Sequence, residues 1–570
     1  MLPAAVSNAL IYVVLVIFLG IGTFAGYKKT KTKTDYLSSL GTQNAVALAA
    51  NWFASIPRNL FGSWKRKLRK DWAEKVPLIP DQVNACVGKL PPKMFFFSIG
   101  SSILYAYPEV GTMAGLLGVF MYAFGSVVPL FVFAWLGPLI REKSPEGFTL
   151  TQFTLERFGR INQIYISLMS MAYMFSYMIS ELSAVGNIIN LLTGLEKYAP
   201  VIMIAIITTI YTGYGGLRAS LITDHIQGWA IIVLVVLSTI GLGTSVKIEK
   251  SVIDSSPLLK SNSLGWQLLY IMTVALAFST LFHEGFWQRT FSSKNNRELR
   301  LSAIYGSIML FPVLVLIGFT GILAAWSGLW PGEENLEGYL AFFALFKALP
   351  DWVSGIILVL TVSMSCAAYD TLISATTAII SNDLFRNRLP LNIIRGLSLV
   401  ANIPAVVLGL KDLDVLRVFL IGDLLAAAAM PPILLGLFDQ FYFINGIDAL
   451  VGGIGGLFGV FAFGSILYNS AKMGFELLGL PSLYNNDYSV LGAFVAAPLA
   501  SIFFTFLSFG VRLGVLWLYA KVKGDIFEFP KFTDTSKERK QAEDESNVQD
   551  SEKRNPEFTD GQKSLNDVEV

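Results

Sequence analysis

Charged side chains are scarce in this sequence: Asp, Glu, Lys and Arg together make up 15% of its 570 residues. Hydrophobic residues make up 54%, and the mean hydropathy is +0.57. This composition excludes an ordinary soluble globular protein, whose charged fraction is about a quarter. The net charge of +2 gives no electrostatic reason to expect a nucleic-acid partner.

The sequence has few of the residues that metal sites, disulfides and enzyme active sites require. The sequence has two cysteines, Cys86 and Cys366, and two histidines, His225 and His283. Two cysteines build neither a disulfide framework nor a thiolate metal set, and two histidines argue against a His-based metal site. No GxSxG, HExxH or Walker motif stands in a suitable context, so we expect no enzyme.

Apolar runs of about 20 residues are abundant, and each is long enough to cross a hydrocarbon core of about 30 Å. We therefore predict an all-α, polytopic membrane protein with about 13 transmembrane helices. The first span is expected to be retained, because it lacks the basic start and the cleavage site of a signal peptide. In chain order the expected spans are 7–27, 43–55 joined to 98–107, 111–140, 161–193, 199–215, 226–246, 267–290, 301–328, 352–380, 392–410, 413–437, 448–468 and 490–520.

Positive charges in the loops predict the orientation. With the N-terminus outside, the inner loops hold roughly twice the Lys and Arg of the outer loops. Thirteen crossings then place the C-terminus inside. The polar stretch 521–570 is expected to be a disordered cytosolic tail, open to cytosolic regulators. The C-terminus carries no retention signal, so the plasma membrane is the default location.

One stretch interrupts the pattern of spans. Residues 56–97 combine a cluster of Lys and Arg with several prolines, which cannot lie inside a membrane span. The flanking segments, 51–55 and 98–107, resemble two halves of one apolar helix. The insert is either a surface loop or interfacial helix, or a retained intron. We favour the intron, which leaves 1–520 as one transmembrane domain.

The segment from Thr361 to Phe385 is the most informative span. It is rich in small and hydroxyl-bearing side chains, which let helices approach closely in lipid, and it carries a lone acid, Asp370. An ionisable group inside a membrane needs a partner or a wet cavity. Asp370 therefore either packs against a neighbouring hydroxyl or Arg, or forms part of the wall of a solute or ion site.

Three motifs occur in the order typical of one transporter family. They are YTGYGGLRA at 211–219 with TDHIQ at 223–227, FWQR at 286–289 with Lys294, and SNDLF at 381–385. Together they resemble the sodium:solute symporter family over residues 5 to 520, and most of all its fungal-type urea and polyamine permeases. The resemblance implies a leucine-transporter-like core of two inverted repeats, in which spans 2 and 7 are the broken helices.

The resemblance also implies a secondary active transporter that imports a small polar solute by alternating access. We place urea first as the solute, because hydroxyls predominate near the expected mid-membrane site and charges are few. The alternatives are a solute sensor that does not transport and a sodium-independent, proton-coupled permease. The residues expected to bind the solute are Ser101, Ser102, Tyr105, Phe278, Ser279 and Thr280.

In the family, carbonyl groups of span 2 and a carbonyl and two hydroxyls of span 9 hold a sodium ion. Alanine occupies both hydroxyl positions here, and a hard cation requires several oxygen ligands. No cofactor is expected beyond a coupling ion, Na⁺ or H⁺. The positions that match the family's sodium site are Ala54, Ile99, Met364, Ala367 and Ala368. The groups able to carry a coupling proton instead are Glu181, His283, Glu284 and Asp370.

Overall fold

The computed structural model describes most of the predicted transmembrane domain. The insert at 56–97, the first half of span 2 and the tail beyond residue 529 lie outside the described residues, so the expectations about them stay predictions. The described residues are 3–29, 100–144, 149–246, 248–293, 295–332, 336–347, 349–411, 413–480, 488–524, 527 and 529.

Helices account for the regular structure of the described residues, as the composition predicts. By length and composition, eleven helical segments among them can cross a membrane. In chain order the helices are α1 Ala4–Lys29, α2 Ile103–Lys143, α3 Leu150–Phe158, α4 Arg160–Thr193, α5 Tyr198–Ser245, α6 Lys250–Ser255, α7 Ser263–Phe282, α8 Glu284–Ser292, α9 Asn296–Trp326, α10 Ala341–Lys347, α11 Asp351–Ile379, α12 Leu391–Gly409, α13 Val415–Leu435, α14 Gly446–Leu467, α15 Ala471–Leu477 and α16 Ser489–Lys523.

Two pairs of predicted spans are joined into single kinked helices. Helix α2 contains the last five residues of span 2, 103–107, and all of span 3, and α5 contains spans 5 and 6. Gly115 (φ 59°, ψ −156°) kinks α2, and Gly216 (φ 59°, ψ −155°) kinks α5. A single glycine in a conformation closed to other residues redirects the chain, so no separate loop is needed.

The kink in α5 changes the interpretation of the motif at 211–227. The sequence predicts a turn at Gly215 and Gly216, followed by a helix that Asp224 and Gln227 cap. The positive φ at Gly216 is present, but the predicted capping role of Asp224 and Gln227 is wrong, because both lie in the interior of a continuous helix. Both side chains are buried, which places this polar pair inside the bundle.

Helix α11 lies at the centre of the bundle. It packs against α1, α4 and α5, and most of its side chains are buried, including every residue from Met364 to Ala375. Its small side chains permit this close approach. On one side of it, α13 packs against α4 and α7, and α2 packs against α7 and α9. These contacts bring the start of α2, the junction of α7 with α8, and the middle of α4 and α13 together.

The kink at Gly115 yields a prediction about stability. A Cβ atom at this position would lie 2.1 Å from the carbonyl oxygen of Leu258, in a backbone conformation restricted to glycine. We expect Gly115→Ala to lower the free energy of unfolding by about 1–3 kcal/mol, measured as a lower melting temperature of the detergent-solubilised protein. Gly20→Ala is the control, because a Cβ atom there meets nothing within 4 Å. Equal melting temperatures for the two variants would contradict the prediction.

Candidate functional site

The predicted break in span 7 is present, at His283. Helix α7 ends at Phe282 and α8 begins at Glu284, because His283 adopts an extended conformation (φ −76°, ψ 95°) between them. The Nδ1 atom of His283 accepts a hydrogen bond from the backbone N–H of Gly285 at 3.2 Å, which caps α8. The backbone therefore leaves its helical path beside the imidazole ring.

The start of α2 is held by a buried carboxylate from α4. The side chain of Glu181 is fully buried, and each of its oxygens accepts from a backbone N–H, that of Ser101 at 2.8 Å and that of Ser102 at 3.3 Å. Both serine hydroxyls also donate to it. A Cβ atom at Gly100 would lie 1.8 Å from the nearer carboxylate oxygen, so this approach requires glycine.

A cavity of about 160 Å³ lies between the start of α2 and the break at His283. Helices α2, α4, α7, α8, α9, α11 and α13 contribute to its wall. Most of the polar groups that line it are phenols and hydroxyls. The residues that carry the argument below are Ser102, Tyr107, Tyr122, Tyr173, Tyr177, Thr280, His283, Phe419 and Asp423.

Asp423 is the acid in the wall of this cavity. It stands in the apolar middle of α13, and 3% of its surface is exposed. The hydroxyl of Ser279 is close enough to interact with it but does not reach hydrogen-bond geometry. No cationic side chain among the described residues pairs with it. A buried carboxylate without a counter-charge is costly, so this acid is either protonated or paired with a cation.

Aromatic rings surround the same space. Tyr107 and Tyr122 stack in parallel with their centroids 4.0 Å apart. Tyr177 contacts the His283 ring edge-on at 5.9 Å and Phe419 at 4.7 Å. Aromatic faces attract cations, and a desolvated pair is worth about 2 kcal/mol. The cavity thus combines a carboxylate with several electron-rich faces.

The solute-binding residues predicted from the sequence fall at different distances from the cavity. Ser102 and Thr280 line it, and Ser279 lies beside Asp423. Ser101 is one layer behind, bound to Glu181.

Two predicted aromatic residues lie outside the lining. Tyr105 packs against Tyr339 and Phe343, with centroids 5.6 and 5.1 Å away. Phe278 packs against the apolar clusters on either side of α7. Both contacts are those of packing residues.

Of the five positions matched to a sodium site, Met364, Ala367 and Ala368 lie in α11, and all three are buried. Ala54 and Ile99 lie outside the described residues. The methyl groups of the two alanines offer no ligand to a cation.

Asp370 lies one turn further along α11, in a cage of hydroxyl groups. It accepts hydrogen bonds from Tyr211 at 2.9 Å, Ser220 at 2.9 Å, Thr223 at 3.0 Å and Thr371 at 3.3 Å. Tyr211 precedes the kink of α5, and Ser220 and Thr223 follow it. Asp370 therefore joins both arms of α5 to α11, which is the hydroxyl pairing that the sequence offered as one alternative.

His283 and Glu284, adjacent in sequence, belong to different environments. His283 lines the cavity, whereas Glu284 faces the start of α3, where it accepts from the backbone N–H of Leu150 at 3.4 Å. Asp383, at the end of the α11 segment, is close enough to Glu284 for electrostatic repulsion. The two halves of this predicted pair therefore act in separate places.

Sequence reasoning missed Asp423 and the tyrosines Tyr122, Tyr173 and Tyr177. The signal for Asp423 was available, since a lone acid in the apolar run 418–429 (VFLIGDLLAAAA) meets the same criterion as Asp370. Tyrosines in apolar spans carry no such signal, because most of them serve packing.

The hydroxyl cage around Asp370 yields a prediction about stability. We expect Asp370→Ala to lower the free energy of unfolding by about 2–4 kcal/mol, because it leaves buried hydroxyls unpaired. Tyr211→Phe removes a single bond and should cost about 1 kcal/mol. Melting temperatures of the purified variants measure both effects. A stability of Asp370→Ala equal to that of Tyr211→Phe would show that the cage does not hold α5 to α11.

Comparisons with known proteins agree with this architecture. The family model described as "Sodium:solute symporter family" matches residues 94–456. The spermidine transporter DUR31 of Candida albicans is 38% identical over 526 residues, which cover 91% of this chain and 92% of the relative. The urea active transporter of Saccharomyces cerevisiae is 24% identical over 234 residues, which cover 37% of this chain and 31% of the relative.

Among solved structures, a Na⁺-coupled sialic acid symporter in a substrate-bound, outward-open state shares the fold. The TM-score is 0.62 at 14% sequence identity, with 87% of this chain and 98% of the other covered. The predicted leucine-transporter-like architecture is thereby confirmed. The matched family is one of transporters, as the sequence predicted, and not of enzymes. This chain is an integral, multi-pass membrane protein that belongs to the sodium:solute symporter family.

Proposed function

We propose that this chain imports a cationic amine of the polyamine class, in preference to neutral urea. The observation that carries the proposal is Asp423, a buried carboxylate in the cavity wall that has no cationic partner among the described side chains. A protonated amine supplies the positive charge that this site lacks. The cavity lies between the start of α2 and the break at His283, where alternating access can expose it to either side.

The electrostatics of the cavity favour an ammonium group over urea. A neutral solute would leave the Asp423 charge without a counter-charge in a low-dielectric site, where its cost is greatest. An ammonium group forms a charge-assisted hydrogen bond with the carboxylate and also lies among the aromatic side chains that line the cavity. Urea can use hydroxyl groups such as Thr280, but it gains nothing from the charge.

The relatives support the same preference. The relative aligned over nearly the whole chain is named a spermidine transporter, whereas the relatives named for urea align over 37% of this chain or less. The name describes the relative, and measurement of spermidine uptake tests whether this chain shares the solute. Import across the plasma membrane, with the N-terminus outside, is part of the proposal and rests on the loop charges.

We also infer that uptake does not depend on sodium. The two positions that supply hydroxyl ligands in the family are Ala367 and Ala368 here. Both are buried, and alanine has no side-chain oxygen to offer a sodium ion. Replacement of Na⁺ by choline at constant pH should therefore change the initial rate of uptake by less than about twofold, which is a free-energy difference below about 0.4 kcal/mol. Collapse of uptake in choline would contradict this inference.

The role of Asp423 can be tested by uptake of radiolabelled spermidine into cells that lack their own polyamine carrier. We expect Asp423→Asn to reduce uptake about 10- to 100-fold, because the neutral amide loses the charge-assisted bond, worth about 1.5–3 kcal/mol. Glu476→Gln, a half-exposed acid outside the cavity, is the matched control. Urea uptake is measured in parallel at the same surface expression.

Three outcomes separate the alternatives. Saturable urea uptake that Asp423→Asn leaves unchanged would overturn the amine proposal. Binding of spermidine to the purified protein without uptake would identify a sensor in place of a carrier. Uptake of spermidine that depends on Asp423 supports the proposed function.

A further inference from the structure

We propose that Ser102, oriented by Glu181, forms a second ammonium subsite in the same cavity, so that the preferred solute is a diamine or a longer polyamine. This inference rests on the proposed function, because it assumes that Asp423 binds one ammonium group. It adds a second charged contact and therefore a requirement on the solute, namely two positive charges in one molecule.

Glu181 lies behind Ser102 as seen from the cavity. The carboxylate is fully buried and does not line the cavity, whereas Ser102, which is 1% exposed, does line it. The Ser102 hydroxyl donates its hydrogen to one carboxylate oxygen, and the Ser101 hydroxyl donates to the other oxygen at 2.8 Å. Ser102 thus stands between the buried charge and the solute.

The Ser102 hydroxyl can only accept hydrogen bonds from a solute. A serine hydroxyl has one hydrogen and two acceptor lone pairs. Since the hydrogen of Ser102 is given to Glu181, only acceptor capacity remains for a solute in the cavity. Such a surface accepts from an ammonium N–H and repels an acceptor such as a carboxylate. Glu181 is therefore a positioning residue, which acts through Ser102.

The site around Glu181 carries a negative charge without a described cationic partner. Each oxygen of Glu181 receives a backbone N–H, and these groups lie at the start of α2, where the helix dipole favours an anion. No described cationic side chain pairs with Glu181. Ser102, which binds Glu181, and Asp423 both line this cavity, so the two acids act on one solute site. A solute with two ammonium groups balances both charges, and a monoamine balances one.

A purely structural role is the rival explanation for Glu181. Its four hydrogen bonds anchor the start of α2, and loss of that anchor would weaken every solute to the same extent. The two explanations differ in the ratio of diamine to monoamine affinity, which a structural anchor does not change. The ratio is therefore the quantity to measure.

The experiment uses the full chain, with 1,4-diaminobutane and n-butylamine as competitors of radiolabelled spermidine. The two probes share four carbons and differ in one ammonium group. In the wild type we expect the diamine to compete about 10- to 100-fold better, the range of one charge-assisted hydrogen bond. Glu181→Gln and Ser102→Ala should weaken the diamine by about tenfold or more and n-butylamine by less than about threefold.

Asp423→Asn and Glu476→Gln complete the set of variants. Asp423→Asn should weaken both amines, because both use that carboxylate, and Glu476→Gln should weaken neither. If Glu181→Gln fails to fold, as judged by its melting temperature and surface expression, Ser102→Ala decides the question. That variant leaves the bonds from Ser101 and from both backbone N–H groups to Glu181 in place.

Each result supports or overturns the inference. Equal competition by the two amines in the wild type, or equal weakening of both in Ser102→Ala, would overturn the second subsite while spermidine uptake and its dependence on Asp423 remain. Failure of both amines to compete, with urea competing, would overturn the proposed function itself. A fall in the diamine-to-monoamine ratio in Ser102→Ala supports the inference.

Discussion

The constraint on which this structure depends is that a carboxylate inside an apolar bundle must be compensated. Asp370 receives four hydroxyl groups, and Glu181 receives two hydroxyls and two backbone N–H groups. Asp448 pairs with Arg512 at 2.8 Å. Asp423 differs, because no cationic side chain among the described residues pairs with it. Protein groups thus compensate Asp370, Glu181 and Asp448, whereas Asp423 has no such counter-charge.

The compensated acids also fix the shape of the site. Glu181 holds the start of α2 beside α4, and Asp370 holds α5 against α11. Because both contacts are buried and directional, they set where the helices can stand relative to each other. The break at His283 lies opposite, so the cavity has one side built from anchored helices and one side built from an interrupted one.

Much of the fold could be predicted from the sequence, because long apolar runs and small-residue helices leave little choice in lipid. The kinks could not: Gly115 and Gly216 look like ordinary loop glycines, and only the packing shows that the helix continues through them. For the site, the predicted residues Ser102 and Thr280 line the cavity, and their role in solute binding stays a prediction. Asp423 could not be assigned to the site from the sequence, because only the packing of α13 against α4 and α7 brings it into the cavity wall.

The bonds around Asp370 have a consequence for motion. They link both arms of the kinked helix α5 to α11, so three segments are tied at one point. Elements tied in this way travel together as a rigid block, and flexing at the Gly216 kink is suppressed as long as the bonds hold. Any movement of α5 relative to α11 would therefore have to break these buried bonds first.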